Sequence, residues 1–372
     1  MIGGIVPHPP IMVPGVGGKE AERVRRTQEA LLELGRRICR SGAETMVVIS
    51  PHGPVMWDAV GVVTQARLRG NLGRFGAPEV DFELDTDTFL ANVLREELTA
   101  AGIPETEIRD RHDYRLDHGV TAPLYWLQKG GVSLPVVICG MAIMPLRRLY
   151  SFGLAVQRAA AATGRKVAVV ASGDLSHRLS PDAPNGYDPA GTVFDRKVQE
   201  IIAAADPLAL IRLDPVLTER AGECGLRPIV MLFGAFDGYQ VETEVLSYEG
   251  PFGVGYMVAS LVPGNKDAER FFAAKMAEDA RAEERAKSYL VRVAEQAIEA
   301  YLNRGKRIKI TDVPPEFAGR AGVFVCLKKG GLLRGCIGTI EPTQANIVEE
   351  VVENAVSAAT RDSRFDPVSP AE

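Results

Sequence analysis

The sequence predicts a layered α/β domain with a central, largely parallel sheet, followed by a smaller α+β domain. Three observations carry this. Short apolar runs rich in valine and isoleucine recur through the first two thirds of the chain, as in strands buried on both faces. Between them lie longer stretches with apolar residues at helical spacing. Beyond about residue 262 the texture changes to a helix rich in Ala, Glu, Arg and Lys, and then to a strand-rich stretch. Strands alternating with helices argue for a sheet covered on both sides.

In chain order, residues 2–6 form the first apolar run. Residues 19–39 follow as a helix, with Val24, Leu31, Leu34 and Ile38 on one face and Gly42 as its stop. Residues 45–49 are apolar and partly β-branched, which suits a buried strand. Residues 86–101 predict a helix ending at Gly102. Residues 134–138 and 166–171 are further buried strands, separated by a helix over 145–163. Residues 193–205 and 227–236 are helical. Residues 241–248 and 255–261 are a strand pair joined through Glu249-Gly250-Pro251. "VPGNKDAER" supplies a domain boundary. An amphipathic helix over 266–303, broken near Asp279, comes next. Lys329-Gly330-Gly331 is a hairpin turn, and a last helix covers about 346–360.

A length of 372 residues suits two or three domains. With 46% hydrophobic and 24% charged residues the chain can bury a full core. A net charge of -5 argues against a nucleic-acid partner and against a polybasic membrane patch. No segment reaches the ~20 apolar residues of a spanning helix, and no secretory signal is evident. The five cysteines are scattered without a C-x-x-C pair. This argues against a disulfide framework or a structural zinc site, and for a reducing cytoplasm.

Function in open α/β sheets gathers outside the carboxyl ends of the strands. Of five histidines, His8 and His52 follow the first two strands, His177 follows "KVAVVASGDLS", and His118 sits in a polar turn before an apolar helix. A single histidine after a strand is usually a hydrogen-bonding surface residue. Three at equivalent strand ends point to a shared site, and imidazole is the commonest metal ligand. Two histidines with one carboxylate make the facial triad of non-heme Fe(II) oxygenases. "ERAGECGLRPIVMLFGAF" offers Glu223 and Cys224 in a Gly-flanked loop before a helix, where an acid also suits the helix dipole.

In this order, "VPHPP", "SPHG", "LDHG" and "SGDLSH" resemble the class III extradiol ring-cleavage dioxygenases of the LigB type, over residues 1–262. Memo-like proteins share the fold and the histidine framework. The resemblance implies a three-layer domain. It implies Fe(II)-dependent cleavage, by O2, of an ortho-dihydroxy aromatic (catechol-type) substrate. His8 and His52 match the iron ligands, and Glu223 the third. Memo-like relatives carry a cysteine in a C-G-x-x-P-I setting, here Cys224 to Ile229. Cys224 is therefore the alternative ligand, and a thiolate would favour copper or zinc. His177 matches the acid/base histidine, which Asp174 could orient, and His118 a pocket-lining residue held by Asp117. His112 has no match and is expected at the surface.

"LLRGCIGTIEP" followed by "AVSAATRDSRFDPVSPAE" resembles the AMMECR-type domain of AmmeMemoRadiSam system protein A. The expected domains are 1–262, a linker and helix start at 263–282, and an AMMECR-type domain at 283–372. That family's domain normally continues beyond "RFDPV", so the second domain is expected to be incomplete. Arg334, Gly335 and Cys336 suggest a tight glycine turn with a small buried thiol. The alternative function is a Memo-like metal-binding protein without ring-cleaving activity, partnered by a radical S-adenosylmethionine protein. The sequence leaves a homo-oligomer open.

Overall fold

In the computed structural model the first apolar run is strand β1 (Ile2–Val6), every residue of it buried. A short helix α1 (Pro14–Gly17) leads to α2 (Arg25–Arg40) and β2 (Thr45–Ser50). Strands β3 (Val60–Val63), β4 (Arg67–Leu72) and β5 (Ala77–Asp85) precede α3 (Thr88–Ala100), which Asp87 caps through the Leu90 N–H. Then come β6 (Glu105–Ile108), α4 (His118–Lys129), β7 (Val136–Gly140), α5 (Leu146–Thr163) and β8 (Val167–Ser172). Helices α6 (Pro189–Ala203), α7 (Pro207–Ile211), α8 (Pro215–Ala221) and α9 (Leu226–Gly234) lead to the paired strands β9 (Tyr239–Glu249) and β10 (Tyr256–Lys266). The structure describes residues 1–109, 114–286, 289–330, 332–370 and 372. His112 and Gly331 lie outside them.

Eight strands form one sheet in the order β6-β3-β7-β2-β8-β1-β10-β9. The central four, β7-β2-β8-β1, are parallel, as their unbroken apolar character requires. The β9–β10 hairpin adds antiparallel to β1. One face packs on α3, α5, α6 and α9 through residues such as Leu94, Phe152, Phe194 and Met231. The other packs on α2, α4 and the β4–β5 hairpin through Leu31, Leu34, Leu124 and Leu68. This is the expected α/β layering around a largely parallel sheet. Pro263 and Gly264, read as part of a boundary, lie within β10, where the register slips between Pro263 and Lys266.

The chain divides into two compact units, Met1–Met276 and Ala277–Glu372. The helix expected over 266–303 is two helices, α10 (Phe272–Ala286) and α11 (Tyr289–Arg304), with Asp279 inside the first. In the second unit β11 (Phe324–Lys329) and β12 (Leu332–Gly338) form the expected hairpin, with Gly330 at φ +58°. Helix α12 (Ile347–Thr360) is capped by Asn346. Val293 and Ala297 of α11 pack against Val348, Val352 and Val356 of α12. Cys326 and Cys336 stand directly opposite across the hairpin, Cα–Cα 4.2 Å, and form a disulfide. The widely spread cysteines had suggested no such pair. A hairpin register makes neighbours of residues that composition leaves apart.

Candidate metal centre

Strands β2, β8 and β1 are adjacent and parallel, so their carboxyl ends share one rim. Side chains alternate across the sheet. Val6, Val48 and Val170 accordingly face the α2–α4 layer, and Ile5, Val47 and Val169 the other. Ser50 and Ser172 end β2 and β8 in phase with the first set. His8 and His52 follow at the same rim. Asp117 caps α4 by accepting from the Gly119 N–H at 2.8 Å, which starts the helix at His118. The same carboxylate accepts from Ser50 Oγ at 2.7 Å and Tyr114 OH at 2.8 Å, so three elements are tied at one acid.

Four imidazoles converge there. His8 Nε2 and His52 Nε2 are 3.0 Å apart. The His118 ring stacks on His52 with centroids 4.2 Å apart and meets His8 edge-on at 5.4 Å. His177 completes the group through Asp174, whose Oδ2 lies 3.8 Å from both His8 Nε2 and His177 Nε2. Asp174 Oδ1 accepts from the His8 backbone N–H at 2.9 Å.

Hydrogen bonds fix two of the tautomers. Ser172 Oγ donates its one proton to the Gly119 carbonyl at 2.5 Å. Its 2.9 Å contact with His8 Nδ1 must therefore be an N–H donated by His8. His177 Nδ1 lies 2.6 Å from the Gly222 carbonyl, which can only accept. Both rings thus carry their Nε2 lone pair into the cleft. In the metal-free protein, only a proton on His52 Nε2 makes the 3.0 Å contact with His8 attractive. That proton occupies a place a cation can take.

Cys224 arrives from the opposite layer. Gly173 and Gly225 cross backbone to backbone, and a Cβ on Gly173 would strike Gly225 Cα. This crossing lets Cys224 Sγ accept from the Asp174 N–H at 3.2 Å and lie 3.7 Å from His8 Nε2. His8, His52 and Cys224 each offer one ligand atom, all within 4.8 Å of one another. The Glu223 carboxylate turns elsewhere and accepts from the N–H of Leu226, the first residue of α9, at 2.6 Å.

Burial sets the charges. It pushes His8 well below the usual imidazole range, with His52, His118 and His177 adding to the effect. It lowers His52 and His177, and lowers His118 to about 4. These rings are neutral near pH 7, as ligands must be. His8 and Asp174 therefore form no ion pair. Desolvation raises Asp174 to about 7, so this acid can hold or release a proton at neutral pH. Desolvation also raises Cys224 well above an ordinary thiol, followed by the charge of Asp174, while the Asp174 N–H opposes it. A cation at the site would displace that proton.

Two soft or borderline nitrogen donors and one sulfur fit a single metal ion, with the His52 side open to solvent. Sequence reasoning missed Ser50 and Ser172. Their signal was a lone hydroxyl ending an otherwise apolar run. It also missed buried Asp195, which accepts from the Ser176 N–H at 2.8 Å and Tyr248 OH at 2.7 Å and holds the His177 loop. In the second unit Arg334 pairs with Glu372 and bonds the Asp366 carbonyl.

Residues 4–259 match the family model described as the catalytic LigB subunit of aromatic ring-opening dioxygenase, and residues 291–372 match AMMECR1. Protein CA_C1420 of Clostridium acetobutylicum is 34% identical over 97% of this chain and 80% of its own length. A Thermotoga maritima protein is 51% identical over 22% of this chain, which spans 49% of that relative. The crystal structure of uncharacterized protein JW3007 from Escherichia coli K12 shares the fold, with TM-score 0.50 and 19% identity over 70% of this chain and 99% of that one. Among the described residues no helix is long and apolar enough to cross a membrane. The chain belongs to the LigB family and carries its ring-opening-dioxygenase-type domain joined to an AMMECR1 domain.

Proposed function

We propose that the first domain is a mononuclear metal-binding domain of Memo-like type, with His8, His52 and Cys224 as protein ligands. The observation that supports it is the convergence of those three donor atoms from three separate loops within 4.8 Å, with the His8 tautomer set for ligation by Ser172. A thiolate beside two imidazoles suits copper or zinc. When bound, the ion would supply Lewis acidity, or one-electron chemistry if it is copper. The chain's own part is to move protons beside it. His177 Nε2 accepts a proton from a ligand hydroxyl, and Asp174 at 3.8 Å holds the ring's orientation and charge.

Elemental analysis of anaerobically purified protein tests this. One metal ion per chain is expected, lost in His8→Ala and Cys224→Ser and kept in Glu223→Gln. Metal kept in Cys224→Ser but lost in Glu223→Gln would overturn the assignment.

A second reading is favoured by the LigB match. It is Fe(II)-dependent opening of an ortho-dihydroxy aromatic ring by O2, with Glu223 as third ligand. It requires the Glu223 carboxylate to leave the Leu226 N–H. Oxygen uptake and a yellow product from a catechol panel on the iron-loaded protein would support it. No turnover with iron bound would refute it.

A further inference from the structure

The β4–β5 hairpin stands outside the main sheet, and its turn carries Phe75. The hairpin is pinned to the chain segment that leads into α4. Gln65, just before β4, donates from its amide to the Tyr114 carbonyl at 3.2 Å and accepts from the Tyr114 N–H at 3.0 Å. The Leu116 N–H donates to the Arg69 carbonyl at 2.9 Å. Leu68, Leu72 and Ala77 are buried in the same apolar cluster as Leu116. A single 3-10 turn, Gly73–Phe75, then links the two strands. Phe75 is thus held in a fixed place relative to His118, which follows Leu116 by two residues.

The Phe75 ring meets the His118 ring with centroids 5.3 Å apart and planes at 60°, an edge-to-face geometry that aromatic pairs prefer. His118 stacks in turn on His52, which meets His8 edge-on. Exposure rises along this series. His8 is buried and His118 half-buried, while His52 and Phe75 are exposed. An isolated apolar side chain at a surface is ordinary, and a phenylalanine contributes nothing to the geometry of a turn. Phe75 differs in where it stands. It is 40% exposed, and its one ring contact among the described residues is a histidine on the solvent side of the cleft.

We propose that Phe75 is a specificity-determining residue of the metal centre, forming with His118 an aromatic wall beside the open side of the bound ion. The wall selects ligands that carry an apolar body next to the metal-binding group over small ions of the same donor type. Phe75 offers dispersion and area to bury and no hydrogen bond, so a bare inorganic ion gains nothing from it. The inference rests on the His8, His52 and Cys224 reading. It adds the β4–β5 hairpin to a site otherwise built by the β1, β2, β8 and α9 loops.

The test compares full-length wild type, Phe75→Ala and Phe75→Tyr, each loaded with Co(II) under anaerobic conditions. The probes are acetohydroxamate and benzohydroxamate, which chelate through the same oxygens and differ by a methyl against a phenyl group. Each is titrated against the visible bands of the bound cobalt. All three proteins should take up one Co(II) with the same thiolate-to-metal absorption and bind acetohydroxamate equally. Wild type and Phe75→Tyr should favour benzohydroxamate, and Phe75→Ala should lose about tenfold of that preference, as expected for one aromatic pair and the area it covers. The same preference in wild type and Phe75→Ala would overturn the inference and leave the metal reading standing. Equal weakening of both hydroxamates in Phe75→Ala would also overturn it, because Phe75 would then support the metal site without discriminating between ligands. Failure of wild type to bind Co(II) would overturn the metal reading and this inference with it.

Discussion

Ser172→Ala removes one oxygen from the centre of the proposed site. In the native protein that oxygen accepts from His8 Nδ1 at 2.9 Å and donates to the Gly119 carbonyl at 2.5 Å. Ser172 is sealed from solvent and His8 nearly so, so neither abandoned partner regains water. Each buried group left unsatisfied costs about 1–3 kcal/mol. The metal-free variant should therefore lose roughly 2–6 kcal/mol, less whatever the loop recovers by relaxing. The second consequence is specific to a metal site. Without Ser172 the His8 proton is free to move to Nε2, the atom that faces His52 and Cys224. Outer hydrogen-bond partners of ligating histidines typically contribute 10–100-fold to metal affinity, or about 1.4–2.7 kcal/mol. Urea unfolding of the metal-free protein measures the first effect, and competitive titration against a chelator the second. Lower stability with unchanged affinity would refute the tautomer argument and leave Ser172 as a packing residue. Unchanged stability would refute the hydrogen-bond assignment itself.

Gly173→Ala places a methyl against Gly225. About 1–3 kcal/mol of stability should be lost by overpacking, and Zn(II) affinity should fall as Cys224 is pushed from His8; equal affinity in an isothermal titration would contradict the crossing. Asp195 is raised by burial to about 6 from 3.8. The folded state therefore holds a proton that the unfolded chain releases between these values, and stability should fall as pH rises from about 4 to 6, by at most about 3 kcal/mol. Asp195→Asn should flatten that slope, and identical urea midpoint-against-pH curves would refute it. Glu350 is fully buried and accepts from Thr339 Oγ1, Thr343 Oγ1 and the Thr343 and Gln344 N–H groups. Glu350→Gln presents an amide to donors and should cost about 2–4 kcal/mol. The loss should appear in the melting of the second unit, with metal content unchanged.

Where the sequence could be read, short buried strands made it so. β1, β2, β7 and β8 are uninterrupted apolar runs, and their ends are marked by polar or Pro-His punctuation, which located His8, His52 and Asp174. Helices with one clear face and a stop, such as α3 with Gly102 at φ +65°, fell within a few residues of expectation. What escaped had no local period. Strands β3 and β6, of four residues each, and the β4–β5 hairpin owe their form to tertiary pairing, not to pattern. Which of Glu223 and Cys224 lies beside His8 was closed to sequence for the same reason. It depends on two glycines 52 residues apart, Gly173 and Gly225, meeting backbone to backbone.

The centre is best understood by asking which polar atoms still lack a partner. Asp117 is committed to Ser50, Tyr114 and Gly119. Ser172 is committed to His8 and Gly119, Gly222 to His177, and Glu223 to Leu226. The capacity that remains is the Nε2 lone pair of His177, the exchangeable proton between His8 and His52, and the Cys224 sulfur. A fold with no ligand to bind would satisfy buried groups of this kind internally, as most buried polar atoms are. Here the surrounding bonds orient His8, His52 and Cys224 so that a cation can replace the protons they hold. That arrangement costs stability and is retained where a site requires it. The metal reading therefore rests on the pattern of satisfied and unsatisfied groups together, more than on the number of histidines in the cluster.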